Sequence, residues 1–290
     1  MQRRADPRAH RYIVDHVPPG TGIERRLLVV NKSAQPRRVD VYAGAASIEQ
    51  GRFRFASGRT GNELTSWITV GESTVDLAAY GQAEVEVAIA VPTQASEGER
   101  YAVVWAATGA SADGTDAAEI RQVHRTGVRV YLDVGMGGEP RSDFSIEGMV
   151  PARDNAGTPS LTVGVRNTGG RAVDLTGEVD LADGPAGIRA GPFDVATATT
   201  LLPGESGEVR IELPGDLPAG PWTVTVRLRS GRIEHSATGR ITFPAPGTTG
   251  VPATLAAQMV TTPTVVGASL LVGLVLLTGV GLVARRVRSA

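Results

Sequence analysis

Residues 161–175 read LTVGVRNTGGRAVDL, and residues 26–41 read RLLVVNKSAQPRRVDV. In each, an alternating run ends in asparagine (Asn167, Asn31), turns through small polar residues and returns through a Val-Asp pair (Val173-Asp174, Val39-Asp40). Alternation with a period of two marks a half-buried strand. Asparagine suits the turn because it tolerates left-handed backbone and bonds to nearby peptide groups. The likeness continues downstream. Both copies next carry an alternating strand stopped by proline, EVEVAIAVP ending at Pro92 and GEVRIELP ending at Pro214. A glycine turn (Gly98, Gly220) then leads into a strand opened by an aromatic residue (Tyr101, Trp222). The same order of signals twice predicts two similar β-sandwiches in tandem.

Further runs extend the pattern. GVRVYLDVG puts Val128, Val130, Leu132 and Val134 on one face, and WTVTVRLRSG aligns Trp222, Val224, Val226 and Leu228. Gly, Pro, Asn and Asp clusters punctuate these runs about every ten residues, the rhythm of antiparallel sandwiches. No segment before residue 255 has the pattern of an amphipathic helix. The expected fold is all-β: two tandem immunoglobulin-like β-sandwiches, over 10–138 and 139–243, followed by a single transmembrane α-helix. An extension over 1–9 precedes them. The boundary falls in GMGGEPRSD (135–143), where glycines interrupt the alternation.

The chain has 290 residues, enough for two domains and an anchor, and a net charge of −1. Without a basic surplus there is no global field to recruit nucleic acid. Its basic residues are almost all arginine, with Lys32 the one lysine. Cysteine is absent, which excludes disulfides, thiolate metal sites and thiol catalysis. Domains of this size are large enough to be held by packing alone.

Residues 264–284 carry no charge and are followed at once by Arg285, Arg286 and Arg288. As a helix, at ~1.5 Å per residue, they would span roughly 31 Å, close to the hydrocarbon thickness of a bilayer. The arginines place the C-terminal side, a basic tail over 285–290, in the cytoplasm and the sandwiches outside. Between Phe243 and the span, residues 244–263 hold four prolines and no charge, and are expected to form a stalk. Export requires a signal peptide, yet MQRRADPRAHRYIVDHVPPG lacks an apolar core of about 7–15 residues. The signal is expected to be missing from the start of this sequence. The alternative, a tail-anchored protein with a cytosolic body, would take RRVRSA across the membrane against the charge rule.

The search for chemistry is mostly negative. There is no G-x-S-x-G elbow, no H-E-x-x-H and no phosphate-binding glycine loop. His10, His16, His124 and His235 are far apart along the chain. SADGTDAAE offers Asp113, Asp116 and Glu119 as oxygen ligands, but the spacing matches no full calcium loop and reads more simply as an acidic hairpin tip. Trp67, Trp105 and Trp222 sit among apolar alternation and are expected in the core. The segment GRFRFASGR interleaves Arg52, Arg54 and Arg59 with Phe53 and Phe55. These arginines are the candidate binding residues, able to meet an anionic wall polymer; the plainer reading is a strand with a solvated arginine face. No enzyme activity and no cofactor are expected.

Four stretches carry a family resemblance. HRYIVDHVPPGTGIERRLLVVNKSAQPRRVDVYAGAA (10–46), ELTSWITV (63–70), VPTQASEGERYAVVWAAT (91–108) and RTGVRVYLDVG (125–135) occur in this order. Together they resemble the N-terminal module of the WxL-interacting proteins of Gram-positive bacteria. That family's layout is a signal peptide, two β-sandwiches, a transmembrane helix and a short basic tail. The resemblance implies a membrane-anchored, single-pass surface protein with an adhesion or scaffold role, its first module binding cell-wall peptidoglycan or its partners being surface proteins. Residues 143–243 depart from the family's second module and resemble generic tandem sandwiches. An extracytoplasmic partner subunit of a membrane-protein complex, without wall binding, is the rival reading; an extracellular hydrolase is the third.

Overall fold

A computed structural model describes residue 8 and residues 11–108, 123–195, 199–253 and 255–258. The first sandwich comprises β1 (Ile13–Val17), β2 (Gly22–Val30), β3 (Arg37–Glu49), β4 (Arg52–Phe55), a short helix α1 (Glu63–Trp67), β5 (Ile68–Val70), β6 (Thr74–Leu77), β7 (Gln82–Ala90), β8 (Gly98–Thr108) and β9 (His124–Val134). The second comprises β10 (Phe144–Arg153), β11 (Pro159–Asn167), β12 (Val173–Ala182), β13 (Ala190–Asp194), β14 (Thr199–Leu201), β15 (Ser206–Glu212), β16 (Gly220–Ser230), β17 (Ile233–Phe243) and β18 (Leu255–Gln258). In the first, a sheet ordered β1-β9-β8-β3-β4, with β6 also on β3, faces β2-β7-β5. In the second, β13-β12-β16-β17-β18, with β14 also on β12, faces β10-β11-β15. Each sandwich closes over its own apolar core, one including Val41, Val87, Val104 and Leu132, the other Val163, Leu175, Trp222 and Val226.

The duplication seen in the sequence is a duplication of pairing. β2/β7, β3/β8 and β3/β6 recur as β11/β15, β12/β16 and β12/β14. The repeated residues do the same work in both copies. Asn31 Nδ2 donates to the carbonyls of Gln35 and Ala78, each at 2.8 Å, while its Oδ1 accepts from Ser33 N at 3.0 Å. Asn167 Nδ2 donates to the carbonyls of Arg171 and Leu201 at 2.8 and 3.0 Å, and its Oδ1 accepts from Gly169 N at 2.9 Å. Each asparagine thus closes its own turn and ties it to a distant segment, the end of β14 at Leu201 or the residue after β6 at Ala78. Asp40 and Asp174 each accept from a threonine directly across the ladder, Thr74 at 3.2 Å and Thr200 at 2.7 Å. Gly98 (φ 121°) and Gly220 (φ 125°) both hold the backbone conformation that L side chains avoid.

Three features depart from expectation. β1 pairs β9 in parallel, Ile13 opposite Val130 and Val17 opposite Val134, so the first sandwich is not wholly antiparallel. Alternation records which face a residue occupies and not strand direction, so it carried no sign of this. Second, ELTSW forms α1, capped reciprocally by Asn62 and Thr65 and burying Leu64 and Trp67. Third, the expected stalk is partly bound to the second sandwich. Gly247 N donates to Asp154 O, Gly250 N to Pro151 O and Ala253 N to Met149 O at 2.9, 2.7 and 2.9 Å, and β18 pairs with β17. The prolines of 244–252 exclude a regular ladder there, but isolated peptide groups still find partners along β10. Among the described residues no helix is long and apolar enough to cross a membrane. The expected span 264–284 and Arg285, Arg286 and Arg288 lie outside the described residues, as do His10, Asp113, Asp116 and Glu119.

The connection over 135–143 is pinned at both ends by histidine. His16 Nδ1 lies 2.6 Å from Asp133 Oδ2 and its Nε2 3.2 Å from Gly137 O; His235 Nε2 lies 2.7 Å from Asp143 Oδ1. Burial raises the Asp143 carboxyl, but bonds from His235 and from Phe144 N outweigh it and hold the group below its ordinary value. A depressed carboxyl contributes stability that is present above its unfolded value, about 3.9, and lost as pH falls through the folded one. Asp143→Asn is therefore expected to flatten the acid limb of a melting-temperature profile below about pH 4. An acid slope identical to that of the parent would refute this.

Both sandwiches belong to one compact unit, joined by a buried polar contact. Arg171, in the turn between β11 and β12, is 0% exposed. Its Nε donates to Glu99 Oε1 at 3.2 Å, its Nη1 to Glu139, and its Nη2 to the carbonyls of Asp15 and Tyr131 at 3.3 and 3.4 Å. Glu99 Oε2 accepts from Ala172 N at 2.7 Å and from the Tyr101 hydroxyl at 2.8 Å. Burial, reinforced by the Glu99 carboxylate, pushes the Tyr101 phenol far above its ordinary value and keeps it a donor. The buried Arg8 donates to Ala172 O at 3.1 Å, so the expected N-terminal extension reaches the joint. Val14, Ile48, Phe53 and Tyr131 pack against Ala172 beside these groups.

Candidate functional site

The large sheet of the first sandwich has an inner and an outer face. On β9, Val130, Leu132 and Val134 point into the core, so Arg125, Gly127, Arg129 and Tyr131 point out. On β8 the outward residues include Trp105, opposite Tyr42 of β3 on one side and Gly127 on the other. The two glycines beside it make room for the indole. A Cβ on Gly127 would lie 2.6 Å from Val103 Cγ2 and 2.7 Å from the Trp105 ring, and one on Gly44 would lie 3.0 Å from Trp105 Nε1. Trp105 lies against the sheet at 6% exposure, and its Nε1 has no acceptor among the described residues. Gly127→Ala is expected to lift the indole and cost about 1–3 kcal/mol. The check is denaturant unfolding with tryptophan emission; an unchanged midpoint and spectrum would count against the packing described.

Arginines cap the aromatic rings. Arg125 Cζ sits 4.2 Å from the Trp105 ring centroid and Arg59 Cζ 4.1 Å from that of Tyr42. Arg129 Cζ sits 4.7 Å from Phe53 and 5.3 Å from Tyr12, with Phe55 edge-on to Trp105 at 5.0 Å. Stacking of this kind fixes a guanidinium in place and leaves its in-plane N–H groups free to bond outward. Their surroundings differ. Arg129 is committed to the joint, donating to Asp174 Oδ1 at 3.1 Å and to the Tyr131 hydroxyl at 3.2 Å. Arg59 has Asp40 at 3.4 Å and remains 59% exposed at its side chain. Arg125 is exposed, and no carboxylate pairs with it among the described residues.

The structure divides the candidate residues. Arg59 joins the aromatic face. Arg52 and Arg54 are exposed but sit opposite Glu49 and Ser47, on the side of β4 away from Phe53 and Phe55. Phe53 is buried in the joint, and Phe55 is 42% exposed. The sequence reading missed Arg125 and Arg129. The signal was present in HRTGVRV, where the polar half of the alternation belongs to the outer face. Trp67 and Trp222 lie in the two cores, as expected, whereas Trp105 is buried on the outer face of the sheet, beneath Arg125, and not in the core between the sheets. Among the described residues no group of three or more His, Asp or Glu could hold a metal ion.

A second feature lies beside the first half of β9, which β1 does not reach. A groove of about 410 Å³ opens between β2 and β9, lined by Leu27, Val29, Val41, Val104 and Val128, with Arg125 and Trp105 at its lip. Leu28 and Val30 on β2 are 55% and 45% exposed beside it.

Fold and face together define a tandem immunoglobulin-like β-sandwich protein with an arginine–aromatic face beside its joint. No family model matches the chain, and no curated protein matches it. Among solved structures it is similar to the E. coli chaperone DraB, at 11% identity over 85% of this chain and 96% of that one, with a TM-score of 0.42. It is also similar to the Pseudomonas aeruginosa CupB2 chaperone, at 13% identity over 78% and 97%, TM-score 0.41. The Salmonella enterica SafA pilin–SafB chaperone complex contains a further match, at 12% identity over 79% and 93%, TM-score 0.41. Likeness this weak carries no argument about function.

Proposed function

We propose that this chain is a membrane-anchored, single-pass cell-surface protein that binds cell-wall peptidoglycan or surface proteins without catalysis, in an adhesion or scaffold role. The resemblance to the WxL-interacting proteins, the uncharged segment 264–284 and the arginines after it support the anchoring, with the sandwiches outside and the C-terminus in the cytoplasm. The observation that carries the binding is the split outer face of the first sandwich. One half is closed by the second sandwich; the other presents Arg59 and Arg125 on an aromatic base to solvent. The full chain in detergent is expected to pellet with protein-free wall sacculi, and less so as salt rises. A chain that stays in the supernatant at low salt would defeat wall binding. The rival, a partner subunit of a membrane-protein complex, is favoured by the apolar groove and the exposed Leu28 and Val30. Crosslinking in intact cells that links this edge to another protein, with no retention on sacculi, would establish it.

A further inference from the structure

Tyr42 and Trp105 lie side by side on the outer face, the arrangement that a sugar-stacking platform requires, but both ring faces are occupied. Arg59 covers one and Arg125 the other, at 4.1 and 4.2 Å from their centroids. What the face offers outward is therefore guanidinium N–H groups. Such groups, held flat and pre-oriented, match the paired oxygens of carboxylates and phosphates and gain little from a neutral hydroxyl array. The two guanidinium groups stand over separate rings, Tyr42 of β3 and Trp105 of the neighbouring β8, on one exposed face. Two cations side by side on such a face suit a polymer that carries repeated anionic groups.

From this geometry we infer that Arg59 and Arg125 form a two-point site for an oxyanion-bearing polymer, and that the wall component recognised by this face is anionic, not the neutral sugar backbone. The inference rests on the wall-binding reading above. Asp40, 3.4 Å from Arg59, also accepts from Thr74 and sits in the cross-strand row of Ala107 and Arg125. It acts as a counter-charge that an incoming anion displaces from Arg59.

The test uses the full chain in detergent and three soluble probes of matched length: polyphosphate, polyglutamate and a neutral chitin oligomer. Binding to one or both polyanions, falling steeply with salt, is expected, with no binding to the chitin oligomer. Polyphosphate alone would identify phosphate polymers of the wall, and polyglutamate alone carboxyl groups; either supports the site. Arg59→Gln and Arg125→Gln are each expected to weaken polyanion binding roughly ten-fold. Arg52→Gln and Arg54→Gln, on the other side of β4, leave it unchanged. Both arginines of the site are exposed, so an unaltered melting temperature distinguishes lost contact from lost fold. Equal binding of the chitin oligomer, or full polyanion binding by the Arg59→Gln/Arg125→Gln double variant, would overturn the inference. Sacculi stripped of phosphate polymers and with amidated carboxyls separate the two levels. Full retention there removes this inference and leaves wall binding standing, whereas no retention on intact sacculi removes wall binding itself.

Discussion

Arg171→Met is expected to destabilise the protein by about 3–5 kcal/mol, because it leaves a buried carboxylate without its cation. The side chain of Glu99 is 5% exposed, and that of Arg171 1%. Methionine fills most of the volume, so the loss measures charge and hydrogen bonding more than a cavity. Glu99 would keep Ala172 N and the Tyr101 hydroxyl as donors, but neither neutralises it. Adding Glu99→Gln to the Arg171→Met background is therefore expected to recover part of the loss, since the amide oxygen can still accept from Ala172 N. Urea denaturation of the four members of this cycle gives the coupling. A single variant within about 1 kcal/mol of the parent, against the 3–5 expected for a broken buried pair, would mean that the joint relaxes enough to let water reach Glu99.

Asn167→Asp changes one atom and is expected to cost about 3 kcal/mol or more at pH 7. The residue is 0% exposed, and its amide nitrogen serves two carbonyls, those of Arg171 and Leu201. The substitution removes both donors and sets a carboxylate oxygen against the two carbonyl oxygens. Asn31→Asp, at a position 7% exposed, repeats the experiment nearer to water and is expected to cost less. The sign of the pH dependence follows. Burial and facing carbonyls raise the introduced carboxyl above its unfolded value, and once protonated it donates one of the missing bonds. The folded state then binds more protons than the unfolded, so the penalty shrinks as pH falls from 7 toward about 4. A penalty that grows on acidification would show that the amide donors are not what the turn needs.

The parts of the fold legible in the sequence are those set by local chemistry. Alternating valines, Asn31 and Asn167, the Val-Asp pairs and the glycines before Tyr101 and Trp222 all act within their own turn or strand, so their spacing carries the information. The joint was not legible. Arg171 occupies the place in its copy that Arg37 occupies in the other, and Arg37 is exposed. Only the approach of Glu99, Glu139 and β9 from elsewhere in the chain turns one of two similar arginines into a buried cation. The candidate face was half legible. Arg59 was singled out for its neighbours in sequence, while Arg125 reaches the same face from the other side of β8. Gly127 was the overlooked marker, because a glycine within a strand often signals close approach by another group.

The parallel pairing of β1 with β9 also sets an order of events in time. His16 and Asp133, which meet across this pair, are 117 positions apart. For a chain made from its N-terminus at roughly 5–20 residues per second, β1 waits about 6–23 seconds for its neighbour to be synthesised. Throughout that interval Ile13, Val14 and Val17 have no sheet to join. Arg171 arrives later still, after all of its acceptors, so the joint is the last of these contacts able to form. The first sandwich must therefore be nearly complete before the second has anything to grip, and a ribosomal pause before residue 134 would prolong the exposure of an unpaired apolar strand.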